Sequence, residues 1–413
     1  MAIAIRAGEQ TRQVQMVCLD DLVGDDDVLR RVERLVAWGA VRDSAAPFYS
    51  DFGRPGVDPV VLVKVFLVAA IRGIGSMRET LRVAQVDLSI RRFLGYGLTE
   101  ALPHHATFSY AQCVRFAQSS VFEQLFTQVL ASCRDAGLLD GSRLIVDATH
   151  VEADAALKSL RAELEVIDGD GEADRPASEG PALKLAEPRS GPTPKRKASN
   201  ATAVSRTDPE AKLRYKPGHR PHLVHRAQVA TDPRHRVIVA VHAEPAIGHE
   251  ADSLPVIIDR SKWLRHRVKE IVADAGYASD AVYTALAARQ ITAFIPPQPN
   301  MLKRANGQAA RRRCKSAVGV GAAVDRITHG EGAIAELKRH GAGRARCRGT
   351  VKLQIQLLLA ATAINLKRLT TRLPASENGA VGDGHAARAQ LAILNACLLA
   401  LTAPETATST TGS

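Results

Sequence analysis

The sequence predicts an α/β protein whose mixed β-sheet core follows an all-helical N-terminal domain. Helix-type apolar runs with capping residues fill the first third of the chain, whereas strand-like and helix-like segments alternate from residue 139 onward. At 413 residues the chain exceeds the length that one hydrophobic core usually supports, so more than one domain is expected. We therefore predict domains at residues 1–138 and 139–372, followed by a partly helical tail at 373–413.

The N-terminal domain contains clear helix start signals. Asp58 provides an N-cap and Pro59 the first helical position, so the apolar run Val60–Ile71 is expected to be a buried helix. Ser76, with Glu79 three residues later, predicts a capping box. Further helices are expected at Asp20–Ala40, Leu88–Leu94, Thr107–Phe116 and Val121–Ala136. Short tandem helices are compatible with a helix-turn-helix that binds the DNA major groove, although their spacing alone favours a plain helical bundle.

The second domain begins with a branched apolar run, Leu144–Val146, which predicts a buried strand ending at Asp147. Residues 156–221, which include a stretch rich in Gly, Pro and charge, predict a flexible insertion. The segments after it are a hairpin of LVHRAQVA and RVIVAVHAEP, a helix at Ala251–Leu264, a strand at Lys269–Asp274, a helix at Ser279–Arg289, a strand at Ile291–Ile295 and a helical region from Gly330 to Leu373. This order is that of a ribonuclease H-like fold, a mixed sheet with helices on both faces.

Two of these strands end in an aspartate, Asp147 and Asp274, 127 residues apart. If the strands are neighbours, the two carboxylates meet at one end of the sheet and repel each other unless a cation lies between them. Oxygen ligands of this kind suit Mg²⁺ or Mn²⁺ and phosphate substrates. The alternative for Asp147 alone is an aspartate that simply closes a strand.

A third carboxylate would complete a site for two ions, and the C-terminal helical region offers three. They are Asp325, Glu331 and Glu336. Glu331 is the best candidate because Lys338 follows it by seven residues, which places both side chains on one helix face. Two such ions assist an in-line displacement at phosphorus, with the lysine gripping a nearby phosphate.

The net charge of +12 predicts a polyanionic partner. From Lys303 to Arg372 the chain has 16 Lys and Arg residues against 3 acidic ones, which fits nucleic acid. Arg344, Arg346 and Arg348 alternate just beyond the predicted active helix and are expected to contact phosphates, with a solvated face as the alternative.

The cysteines are scattered, without a CxxC pair. They are Cys18, Cys113, Cys133, Cys314, Cys347 and Cys397. This spacing argues against a zinc ribbon or a disulfide framework and for a reducing cytoplasm. The most apolar late stretch, Val351–Leu369, is interrupted by polar residues and predicts a core helix, so no membrane association is expected.

From about Gly53 to Leu369 the chain resembles a bacterial insertion-sequence transposase of the DDE type, in the insertion-sequence-five superfamily and its eleven-eighty-two branch. The resembling segments include LPHHATFS, RLIVDATHVEA, TDPEAKLRYKPG, VADAGYAS and GEGAIAELKRH. The resemblance implies that Asp147, Asp274 and Glu331 are the catalytic, metal-binding triad and that Lys338 is the lysine following the glutamate. It also implies a helical DNA-binding N-terminal domain, in which we expect Thr107 to contact DNA.

The resemblance further implies metal-dependent strand cleavage and strand transfer at the ends of an insertion sequence. The implied cofactor is two Mg²⁺ or Mn²⁺ ions, and the implied partners are element-end and target DNA. A homodimer on DNA and a cytoplasmic, nucleoid-associated location in a bacterium are expected. The alternatives are a nuclease without strand transfer, and a decayed or repurposed transposase that only binds DNA.

The chain also departs from the family pattern. His104 stands where family members usually have aspartate, and Val324 and Ile327 stand where a tyrosine and an arginine usually precede the glutamate. The segment between Pro296 and Glu331 is shorter than in relatives, which suggests an internal deletion. We predict that Glu331 still faces the two aspartates, close enough to share two ions, in a weakly supported site with low or no activity.

Overall fold

The structure, a computed structural model, describes residues 16–372 except 51, 54–55, 163–199, 201–202, 216–217, 219 and 262–266. The predicted tail at 373–413 lies outside the described residues. Within the described part, a helical region is followed by a mixed β-sheet that has helices packed on it. Both features agree with the predicted fold class.

The helical region is organised around one apolar helix. Its helices are α1 (Val28–Leu35), α2 (Trp38–Ala45), α3 (Pro59–Arg72), α4 (Met77–Val86), α5 (Leu88–Leu94), α6 (His105–Tyr110) and α7 (Val121–Asp135). As predicted, Asp58 caps α3 by accepting a hydrogen bond from the Val60 N–H, and every residue of α3 from Leu62 to Ile71 is buried. The helices predicted around Asp20–Ala40 are α1 and the start of α2, and the chain is extended at Val36 between them.

No described helix is by itself long and apolar enough to cross a membrane. Only α3 and α4 taken together, across a bend of 94°, meet that length and composition.

The described strands are β1 (Arg143–Glu152), β2 (Leu160–Ala162), β3 (Ala203–Ser205), β4 (Lys212–Arg214), β5 (His222–Asp232), β6 (Val237–Pro245), β7 (Glu270–Val272) and β8 (Thr292–Phe294). Six of them form the main sheet around β1, and β2 and β3 form a separate pair. β5 lies antiparallel to β1 and carries β6 and β4 on its other side, whereas β1, β7 and β8 run parallel. This order and direction of strands is the ribonuclease H-like sheet that the sequence predicted.

The predicted flexible insertion at 156–221 is ordered at both of its ends. β2 pairs with β3, and β4 extends the sheet beside β5. Ala211 and Leu213 are buried against Ala153 and Leu223, which explains why this part of the insertion folds onto the domain. The prediction is therefore wrong at these ends, and residues 163–199 lie outside the described part of the chain.

The remaining helices cover the sheet. They are α8 (Glu250–Arg260), α9 (Asp280–Ala288), α10 (Ala305–Lys315), α11 (Ala317–Asp325), α12 (Gly332–Leu337) and α13 (Thr350–Arg372). α10 and α11 occupy the segment that the sequence suggested was truncated. Ala322 of α11 packs with Ile145, Val272 and Phe294 on one face of the sheet.

The longest helix, α13, joins the two regions. It packs against β6 on one side and against α7 and α3 on the other. One hydrophobic core therefore extends from Leu29 in α1 to Leu369 in α13. The boundary predicted at residue 138 falls between α7 and β1, and α13 fills the core on both sides of it.

Candidate active site

The two predicted aspartates lie at the same level on neighbouring parallel strands. The last residue pair between β1 and β7 is Ile145 with Val272. Asp147 and Asp274 each follow that pair by two residues, so both side chains leave the sheet at the point where β7 ends. The prediction that Asp147 ends its own strand is wrong, because pairing with β5 continues β1 to Glu152.

Asp147 is a confined and electrostatically strained carboxylate. Its side chain is 15% exposed, Oδ1 accepts a 2.9 Å hydrogen bond from the Ala148 N–H, and Oδ2 lies 3.7 Å from Nη1 of Arg326. Burial raises the pKa of Asp147, and the negative charges of Asp274 and Glu331 raise it further. The three predicted carboxylates therefore interact across one small region of the protein.

A π-helical turn, Arg326–Glu331, brings Glu331 to this region. A β-carbon at Gly330 would lie 3.0 Å from Cγ2 of Ile145 and 3.7 Å from Oδ2 of Asp147. The glycine thus allows the turn to approach β1 directly beside the first aspartate.

Glu331 also remains after elimination of the other two candidates. Asp325 forms a 2.6 Å ion pair with Arg143, and Glu336 forms one of 2.6 Å with Arg368. Glu331 is exposed, and its side chain forms no ion pair or hydrogen bond within the described part of the chain.

The same π turn changes how the family spacing maps onto this chain. Val324 and Ile327, which occupy the expected tyrosine and arginine positions, are 57% and 56% exposed. Arg326 lies five residues before Glu331, and an i to i+5 turn places residues five apart on one face. Arg326 therefore lies beside Asp147, one position before Ile327, where the family pattern has its arginine.

Sequence reasoning missed a fourth carboxylate, Glu250, at the start of α8. A β-carbon at Gly276 would lie 2.6 Å from Oε2 of Glu250 and 3.0 Å from Oδ1 of Asp274, so these two side chains are neighbours. Burial raises the pKa of Glu250, and the charges of Asp274 and Asp147 add to this effect. No sequence signal marks Glu250, because its approach to Asp274 depends on how α8 packs on the sheet.

The comparisons with known proteins match this site. A family model described as "Transposase DDE domain" matches residues 138–366, more than half of the chain, and one described as "Transposase domain (DUF772)" matches residues 17–112. The chain belongs to the DDE transposase family. The predicted recognition as an insertion-sequence DDE transposase is thereby confirmed, whereas the branch within the family stays a prediction.

Other comparisons add little to the assignment of the transposase. No curated protein matches its sequence. A solved structure titled "Cryo-EM structure of piggyBac transposase synaptic complex with hairpin DNA" matches at 10% identity and a TM-score of 0.33, covering 94% of this chain and 86% of that one. A likeness at that score carries no argument about function.

DDE transposases generally use divalent metal ions and act on DNA. The donor set of the transposase fits such ions by chemistry, since its candidate ligands are all carboxylate oxygens. Within the described residues, however, no three His, Cys, Asp or Glu side chains are placed to hold one ion. Arg326 lies against Asp147, and Glu331 is exposed to solvent.

Two of the residues predicted to contact DNA, Lys338 and Thr107, lie in different parts of the fold. Lys338 is exposed near the end of β1. Burial lowers the pKa of His150 in that strand to about 4, and the charges of Arg214, Arg226 and Lys338 add to this effect. Thr107 lies half-buried in α6 of the helical region.

The three alternating arginines do not share a surface. Arg344 and Arg348 are exposed, but Arg346 is half-buried and donates a 2.9 Å hydrogen bond to the Ile74 carbonyl. Burial also lowers the pKa of Arg346. We therefore keep the prediction of phosphate contact for Arg344 and Arg348 and replace it for Arg346 with a structural role.

A basic cavity of about 660 Å³ opens beside the π turn. Its charged lining residues are Arg234, His235, Arg236, His329, Glu336, Lys367, Arg368 and Arg372. A β-carbon at Gly332 would lie 3.0 Å from Cζ of Arg236, so the cavity adjoins the turn that carries Glu331. Sequence reasoning missed this surface because four distant segments of the chain build it.

Proposed function

We propose that the chain catalyses metal-dependent cleavage and strand transfer of DNA at the ends of an insertion sequence. Asp147, Asp274 and Glu331 would hold two Mg²⁺ or Mn²⁺ ions. The observation that carries this proposal is the matched position of the two aspartates on parallel strands, with the glutamate turn packed against the first of them. The match to the DDE family supports it.

Each residue has a definite part in this proposal. Asp147, Asp274 and Glu331 would hold a pair of divalent ions, which would supply activation of the attacking oxygen and stabilisation of the leaving oxygen in an in-line displacement at phosphorus. The register of β1 and β7 holds Asp147 and Asp274 at one level, and Gly330 lets Glu331 approach them. Arg326 balances part of the negative charge that accumulates beside Asp147. Lys338, which is exposed just beyond α12, would contact a DNA phosphate.

Glu250 is expected to contribute to metal affinity as a fourth carboxylate. Glu250→Gln keeps the shape of the side chain but removes its charge beside Asp274, so Mn²⁺ affinity should fall by about 10-fold. Calorimetric titration of the full chain with Mn²⁺, without DNA, measures this directly. Asp259→Asn is the matched control, because it removes an exposed carboxylate near the other end of α8. Equal Mn²⁺ affinity for wild type and Glu250→Gln would contradict the role of Glu250.

We infer that DNA passes over the carboxylates between two basic surfaces. On one side lie the exposed Arg214 and Lys338, and on the other lies the basic cavity defined above. Arg234, Lys367 and Arg372 in that cavity are exposed and form no side-chain ion pair within the described residues. Their charges are thus available to DNA phosphates.

Removing two of these charges should weaken DNA binding independently of sequence. For Lys367→Ala with Arg372→Ala, we expect the slope of log affinity against log salt to become shallower by about 2, since each phosphate that the protein no longer neutralises reduces the slope by about 1. Fluorescence anisotropy with labelled duplexes at several salt concentrations measures the slope. Arg289→Ala, which removes an exposed arginine after α9, is the control. An unchanged slope in the double variant would exclude the cavity from the DNA path.

A second candidate function is DNA binding without catalysis. Arg326 favours it, because its guanidinium lies against Asp147 and competes with a cation for that carboxylate. A strand-transfer assay with precleaved ends that carry a free 3′-hydroxyl separates the possibilities. Joined products support the transposase, cleavage without joining indicates a nuclease, and binding alone indicates a decayed or repurposed copy.

Two further parts of the proposal concern the assembly and its location. Two element ends must be brought together, so we propose a homodimer on DNA. We also propose a cytoplasmic, nucleoid-associated location, as expected for an enzyme that acts on a bacterial chromosome.

A further inference from the structure

Two cysteines that are far apart in sequence meet between the helical region and the sheet. The Sγ atoms of Cys113 and Cys347 lie 3.3 Å apart, although the residues are separated by 234 positions. Cys113 lies on a π-helical turn, Ala111–Arg115, after α6, and Cys347 lies on the loop before α13. Both residues are partly exposed, so small reagents can reach the pair.

The surroundings of the two thiols make them unequal. The hydrogen bond from the Cys347 thiol, helped by the positive charge of Lys352, lowers the pKa of Cys113. The same hydrogen bond, together with burial, raises the pKa of Cys347. Cys113 thus has the character of the attacking thiolate, and Cys347 that of the resolving thiol.

The loop that carries Cys347 is attached to both regions. The Ala345 N–H donates to the Glu152 carbonyl at the end of β1, at 2.7 Å. Next to Cys347, Arg346 donates to the Ile74 carbonyl in the turn between α3 and α4. A covalent bond between Cys113 and Cys347 would therefore connect the helical region to the strand that bears Asp147.

We propose that Cys113 and Cys347 form a reversible disulfide bond on exposure to a peroxide. The Cys113 thiolate attacks one oxygen of hydrogen peroxide, forming sulfenic acid and releasing hydroxide. The Cys347 sulfur then attacks the sulfenic sulfur, the S–S bond forms, and the hydroxyl group leaves as water with the Cys347 proton. The hydroxide takes up the proton that Cys113 had lost, so two thiols are oxidised and one peroxide is reduced to two waters. A dithiol reverses the reaction by exchange.

The bond should be found by mass spectrometry of the full chain. After treatment with equimolar hydrogen peroxide and alkylation of free thiols, we expect a Cys113–Cys347 linked peptide that dithiothreitol removes. Closing so long a loop should also raise the Tm by roughly 5–10 °C. Cys113→Ser and Cys347→Ser should each abolish both effects, whereas Cys314→Ser, which changes another partly exposed cysteine, should keep both.

Several outcomes would overturn the proposal. Linked peptides that join other cysteines, or oxidation of Cys113 to sulfinic acid without linkage, would do so. Because a serine variant that misfolds would also lack the bond, the reduced wild type is tested with a bimane reagent that fluoresces only after bridging two thiols. Bridging at Cys113 and Cys347 supports the proposal, and labelling of either residue singly refutes the proximity on which it rests.

Discussion

Asp147→Asn is expected to reduce Mg²⁺-dependent cleavage of element-end DNA by about 10³-fold or more, with DNA binding unchanged. Asparagine keeps the size of the side chain but removes a negative oxygen ligand, and a metal pair supplies several kcal/mol of transition-state stabilisation. Asp274→Asn should have the same effect, because Asp147 and Asp274 each follow the last β1–β7 residue pair by two positions. Cleavage of a labelled duplex, with binding measured in parallel by anisotropy, tests both variants.

The control is Asp43→Asn, which removes an exposed carboxylate in α2. It should leave cleavage within about twofold of wild type. Normal cleavage by either active-site variant would refute the assignment of that aspartate as a ligand. Loss of DNA binding together with cleavage would show that the residue supports the fold or the DNA surface and is not a catalytic ligand.

Asp208→Ala is expected to lower the free energy of unfolding by about 3–5 kcal/mol, because it removes one partner of a buried pair. Asp208 and His225 are 1% and 0% exposed, and Oδ2 of Asp208 lies 2.9 Å from Nε2 of His225. The same carboxylate accepts a hydrogen bond from the Gly349 N–H at 3.3 Å, just before α13. Its removal leaves an imidazole and a backbone donor buried without their acceptor.

Urea denaturation followed by circular dichroism measures this loss. Asp208→Asn, which keeps an oxygen acceptor, should lose less than Asp208→Ala. Asp43→Ala should change the free energy of unfolding by no more than about 0.5 kcal/mol, as is usual at the surface. A loss below about 1 kcal/mol in Asp208→Ala would contradict the importance of the buried pair.

The pH dependence of Asp208→Ala follows from the direction of the pKa shift. Burial acts to raise the pKa of Asp208, but the hydrogen bond and the charge of His225, together with hydrogen bonds from the Gly349 and Ala211 N–H groups, outweigh it and lower the pKa below its usual value. The ionised carboxylate therefore adds stability above the unfolded-state pKa of about 3.9, and this stability is lost as the pH falls through the lowered pKa. The difference between wild type and Asp208→Ala should thus shrink below about pH 4. A difference that grows in acid would contradict this sign.

The parts of the fold that the sequence predicted well depend on local signals. The Asp58–Pro59 helix start, the β5–β6 hairpin and the alternation of strands and helices all arise from short-range patterns. The end of β1 was misplaced because pairing with β5, a tertiary contact, carries the strand past Asp147. α10 and α11 were missed because their Ala-, Gly- and Arg-rich sequence has no clear apolar face until Ala322 meets the sheet.

The candidate site shows the same contrast between residues marked by local sequence signals and residues brought together only by tertiary packing. Asp147, Asp274 and Glu331 were found because they lie next to recognisable strand and helix signals. Glu250 and the Cys113–Cys347 pair were missed because only packing between distant segments brings those side chains together. No sequence signal predicts the π turn that places Arg326 beside Asp147, since such a turn differs from an α-helical turn by one residue.

The position of α13 has a consequence for how the chain is made. Both the helical region and the sheet bury their apolar faces on Thr350–Arg372, the last described helix to leave the ribosome. A nascent chain that has already produced α1 to α7 thus still lacks the surface on which α3 and α7 close. The early segments cannot complete their packing until α13 has been made, so the apolar helix α3 stays exposed during synthesis. Chaperone binding to that helix during translation is the natural protection for such a molecule.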